Sequence, residues 1–111
     1  MDEQQYRRGL TEAESDIAAG ECRLFWQARG SWGELLTTVM RDRFDVQVVH
    51  TSDICTEGQR SYWYGYNSTV KAYLDGRFGA GAYKQTLDDV ERHRQEVYRR
   101  WLESQKDGEC S

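Results

Sequence analysis

Asp45-Val46-Gln47-Val48-Val49-His50 is the stretch on which the fold turns. Its alternation and β-branched content predict a strand, the clearest in the chain. Immediately upstream, Trp32, Leu35, Leu36, Val39, Met40 and Phe44 recur three or four residues apart, so Ser31 to Phe44 reads as a helix with one apolar face. Before that, Arg23-Leu24-Phe25-Trp26-Gln27-Ala28 is short, aromatic and fenced by Gly20 and Gly30, and reads as a buried strand. The competing reading runs a first helix through Gly20, at a cost of about 1 kcal/mol relative to alanine. Strand, helix and strand make a β-α-β unit, for which a parallel pair and a right-handed crossover are expected.

Outward from this unit the chain reads as helix. Thr11…Glu14, Ser31…Glu34 and Thr56…Gln59 each carry the hydroxyl-x-x-acid or amide spacing of a helix start. The first predicts a short helix from Thr11 to about Ala19, stopped by Gly20, with residues 1–10 as a frayed lead-in. The third opens a helix to about Asp75, with Tyr62, Tyr66, Val70, Tyr73 and Leu74 on one side and Gly65 permitting close approach. Gly76, Gly79 and Gly81 punctuate a turn, and a last helix runs from about Ala82 to Ser104 before a polar tail, 105–111. The expectation is a single α+β domain over 1–111 in the order α-β-α-β-α-α, a two-stranded parallel sheet packed against helices.

Composition sets outer limits on function. Charged residues make up 31% and no apolar run exceeds three, which excludes a membrane-spanning segment. The start, Met1-Asp2-Glu3-Gln4-Gln5, has neither the basic nor the apolar region of a secretory signal, so a cytoplasmic protein is expected. Four Trp, seven Tyr and three Phe in a chain of low hydrophobicity predict an aromatic-heavy core. Cys22, Cys55 and Cys110 fit neither a disulfide framework nor a paired zinc motif, and read as reduced thiols. The net charge of −4 offers no general attraction to phosphate backbones, which argues against nucleic acid as partner.

Two surfaces stand out as candidates. In the last helix Tyr83, Leu87, Val90, Arg94, Val97 and Trp101 are separated by 4, 3, 4, 3 and 4 residues, the spacing of a heptad seam. A seam longer than this small body can cover favours pairing with a second copy or another protein. Tyr62-Trp63-Tyr64-Gly65-Tyr66-Asn67 adds rings that point all round a helix axis, so Tyr64 is expected to face solvent, a partner or a small-molecule pocket. Base stacking there is disfavoured, since only Arg60 and Lys71 supply nearby positive charge.

The alternative candidate lies at the two loops beyond the strands, where parallel units bind their ligands. Arg29, Ser31 and Trp32 at the start of a helix, with His50 across from them, have the chemistry to hold an anionic metabolite. His50 and Asp53 are the residues that acid/base work would use, although no nucleophile motif surrounds them. No metal site is expected from His50, Asp53 and Cys55, whose spacing is irregular, and no cofactor motif is present.

Overall fold

The structure is a computed structural model that describes residues 1–27, 30–51 and 55–109, with backbone alone at 30–32 and 107–109. Its elements follow the expected order: α1 (Glu3–Ala18), β1 (Arg23–Trp26), α2 (Gly30–Phe44), β2 (Gln47–His50), α3 (Glu57–Phe78) and α4 (Ala82–Glu109). β1 and β2 pair in parallel, Leu24 opposite Val48 and Trp26 opposite His50. The ladder is extended at both ends, Gln47 N–H donating to the Cys22 carbonyl and Thr51 N–H to that of Trp26. Alternate backbone groups of β1 therefore face away from β2. The outward pair on Phe25 is met by a side chain of α3: Phe25 N–H donates to Asn67 Oδ1 at 2.9 Å, and Asn67 Nδ2 donates to the Phe25 carbonyl at 2.8 Å.

The N-terminal residues correct the expectation of a frayed lead-in, because α1 begins at Glu3. Asp2 caps it, its side chain accepting from Gln5 N–H at 3.2 Å, and the Asp2 N–H donates to Ser61 Oγ on α3 at 2.9 Å. Thr11 is thus an interior residue, its hydroxyl bonded back to the Arg7 carbonyl rather than capping a helix. The reason is a face made mostly of small residues. Gly9 and Ala13 are buried where α1 crosses α3, and a Cβ placed on Gly9 would lie 2.7 Å from the Tyr66 nitrogen. Reciprocally, a Cβ on Gly65 would lie 3.0 Å from the Tyr6 carbonyl carbon, so the two backbones touch through paired glycines. Beside the crossing, the Tyr62 hydroxyl donates to Glu12 and that of Tyr66 to Asp16, the latter at 2.6 Å.

At the other end of α1, Ala19 caps the helix and Gly20 turns left-handed at φ 78°, as its position predicts. The expected capping box at α3 is also present: Thr56 and Gln59 satisfy each other's backbone N–H groups.

The core differs from the aromatic one expected. Leu24, Leu36, Met40, Val46, Val48, Val70, Leu74 and Val90 are buried, joined among the aromatics by Tyr66 and Tyr83 alone of the described residues. Phe25, Trp26, Phe44, Tyr62 and Tyr73 sit half-buried around it. Tyrosine and tryptophan carry a polar tip that keeps them at the margin, while each fully buried aliphatic side chain contributes about 1.5–3 kcal/mol.

α4 joins this body through its first turns. Gly79 and Gly81, both with positive φ, reverse the chain, and Tyr83 N–H donates to Asp75 Oδ1 at 3.1 Å. Arg43 of α2 then reaches across to the Thr86 hydroxyl at 3.2 Å and the Asp89 carboxylate at 2.9 Å. With 28 residues α4 is about 42 Å long, and the molecule measures 59 × 33 × 20 Å. Among the described residues, no helix is long and apolar enough to cross a membrane.

Candidate functional site

The seam of α4 divides in two. Tyr83 and Val90 are buried within the body and Leu87 packs partly against the core. Beyond them Val97, Tyr98, Trp101 and Leu102 are 49%, 59%, 54% and 40% exposed, on a helix whose side chains from Val97 to Lys106 all face solvent. The rings of Tyr98 and Trp101 stack at 5.9 Å. Arg94, between the halves, lies outside the core and is held by Glu91 through two hydrogen bonds of 2.7 and 3.1 Å. That carboxylate holds the guanidinium above its usual range. Tyr98 and Leu102 are the residues a one-per-turn tracing of the seam omits. Their i, i+4 spacing beside Val97 and Trp101 is the signal that finds them.

A second feature opens at the carboxyl ends of the strands, a cleft of about 410 Å³. Phe25, Trp26, Gln27 and Thr51 form its floor, and α3 supplies Arg60, Trp63, Tyr64 and Lys71. Trp63 stacks on Phe25 at 6.1 Å between centroids, while Tyr64 is 56% exposed. From α4 comes Tyr83, whose hydroxyl is buried with no hydrogen-bond partner among the described residues. Burial pushes this phenol up to about 12, so it remains a proton donor at neutral pH. The Lys71 ammonium lies 5.2 Å from the centre of the Tyr83 ring.

The residues named for the strand-end loops are distributed differently. His50 is exposed and its Nε2 meets the Thr37 hydroxyl of α2 at 2.9 Å. Arg29 and Asp53 lie outside the described residues, and Ser31 and Trp32 fall in the first turn of α2, where backbone alone is described. Cys55 lines the cleft, 3.8 Å from the Arg60 guanidinium. Cys22 is a free thiol that burial pushes up to about 11, which leaves it protonated and unreactive near neutrality. Among the described residues no group of three or more His, Cys, Asp or Glu side chains is placed to hold a metal ion.

What these elements define, over the described residues, is a small α+β domain of four helices and one parallel strand pair, with an apolar stripe on its longest helix and a cationic, aromatic cleft at the strand ends. No family model, no curated protein and no solved structure matches the chain.

Proposed function

We propose that this protein is a non-catalytic interaction module that pairs with a second copy of itself through the distal half of α4. The observation that carries the reading is the stripe of Val97, Tyr98, Trp101 and Leu102, each at least 40% exposed on a helix whose side chains there all face solvent. Large apolar groups clustered on one exposed face gain about 25 cal/mol for each Å² they remove from water. The heptad spacing continues from the buried half of the helix into the exposed half, and that spacing is what a second helix needs to pack along it.

Arg94 selects both the occupant and its direction. In a parallel, in-register pair the Arg94 side chains meet across the seam and repel. In an antiparallel pair with Val97 of one copy level with Trp101 of the other, the two Arg94 side chains stand about 15 Å apart. The repulsion is relieved, and Glu91 balances each charge on its own helix. The stripe is thus complementary to itself in one orientation. A reducing, cytoplasmic setting fits the free thiols of Cys22 and Cys55.

Fluorine NMR of the chain labelled with 5-fluorotryptophan tests this directly. The Trp101 resonance, assigned by its loss in Trp101→Phe, is expected to move as protein concentration is lowered through about 100 µM, while that of Trp63 stays. A Trp101 resonance independent of concentration from millimolar to micromolar protein overturns the reading.

A further inference from the structure

We infer that the cleft at the carboxyl ends of β1 and β2 binds a small planar aromatic acid, its ring laid against Trp63 and Tyr64 and its anionic group held by Lys71. The volume of about 410 Å³ falls within the range of small-molecule sites. The position, beyond the carboxyl ends of a parallel pair, is where such folds gather loops and helix ends around a ligand.

The sign of the ligand follows from the charges. The chain as a whole carries −4, yet the described lining of this cleft includes two cations and no carboxylate. Glu57, one turn before Arg60, is engaged by the N-terminal ammonium at 2.7 Å. Arg60 makes one long contact to the Cys55 sulfur, and Lys71 rests over the Tyr83 ring with no carboxylate in ion-pair range among the described residues. Arg60 and Lys71 stand eleven residues apart on α3, about 16 Å along its axis, so a small anion meets one of them, and Lys71, beside Tyr83, is the one with no carboxylate in range among the described residues.

The planarity of the ligand follows from the rings. Trp63 is stacked on Phe25, and the exposed ring of Tyr64 follows it on the same helix. Stacking on such rings favours a flat, conjugated partner. Tyr83 closes the inner end of the cleft, 6% exposed, with its hydroxyl buried out of reach of solvent. Asn67 also lines the cleft, but Phe25 already occupies its amide.

The probes are 2-naphthoate and its neutral counterpart 2-naphthalenemethanol, titrated calorimetrically into the whole chain. The acid is expected to bind with a sub-millimolar Kd and the alcohol about tenfold more weakly. Lys71→Gln should bring the two together. Trp63→Leu, which removes the stacking ring, should weaken naphthoate about fivefold. Trp101→Glu, which tests self-association, should leave naphthoate affinity intact. Absence of binding overturns the inference, as does equal affinity for acid and alcohol, indifference to both cleft variants, or loss of binding in Trp101→Glu.

Discussion

Asn67 grips Phe25 at two points, its amide oxygen accepting from the Phe25 N–H and its amide nitrogen donating to the Phe25 carbonyl. One side chain thereby replaces a third strand. Among the described residues β1 is a four-residue strand with β2 on one side only, and without Asn67 its outer backbone groups would be half-buried and unpaired. The same two bonds tie the sheet to α3, which brings Trp63 over Phe25.

Replacing Asn67 should therefore cost more than a surface substitution. Asn67→Ala orphans a donor and an acceptor and is expected to lower unfolding free energy by about 2–3 kcal/mol. Asn67→Asp keeps one bond and sets a carboxylate against the Phe25 carbonyl, so it should be at least as harmful at neutral pH. Urea unfolding of the three proteins reads this; an Asn67→Ala loss below about 0.5 kcal/mol, the level of a neutral surface site, contradicts it.

The glycines of α1 and α3 allow a contrast of sign. Gly9→Ala and Gly65→Ala force a methyl into the facing backbone, 2.7 Å from the Tyr66 nitrogen and 3.0 Å from the Tyr6 carbonyl carbon. Each should separate the helices at a cost of about 2–4 kcal/mol. Gly76→Ala, on the same α3 with open space around it, should instead stabilise by about 0.5–1 kcal/mol through helix propensity. Thermal melts of the three variants decide, and the account requires that Gly76→Ala differ in direction from the other two.

Stability should fall at both ends of the pH scale for reasons that share one residue. The hydrogen bond from Tyr62, then Arg8, holds Glu12 below its ordinary 4.5, so its contribution is present above that value and disappears as pH falls through the lowered one. On the alkaline side, burial and then the bond to Glu12 push Tyr62 from 10 up to about 12, and burial raises Tyr83 equally far. Their contribution is complete below pH 10 and is lost as pH rises toward 12. Tyr62→Phe should flatten both limbs of a plot of thermal midpoint against pH. Unchanged limbs in that variant would show that the pair does not act on stability.

The β-α-β unit was legible because the apolar period changes from three or four to two after Phe44, and Gly20, Gly30 and the Thr56 capping box bracket its neighbours. The first helix was only half legible. Its buried face depends on Gly9 and Ala13, residues without the bulk that periodicity detects, and its true cap is Asp2 rather than Thr11. A ring count overstates the aromatic share of the core because it does not distinguish buried rings from rim rings such as Tyr62 and Tyr73. On α4 the spacing revealed the seam, whereas the point at which the body ends, between Val90 and Val97, depends on how α2 and α3 pack. The cleft joins Lys71 and Trp63 of one helix to Tyr83 of another, a meeting that no local pattern announces.

Sedimentation equilibrium of the full chain and of Trp101→Glu bears most directly on self-pairing. The native protein is expected to approach twice 13.0 kDa as concentration rises through about 100 µM, and the variant to stay at 13.0 kDa throughout. A native chain that remains at the single-chain mass, or a Trp101→Glu protein that associates equally well, contradicts the account.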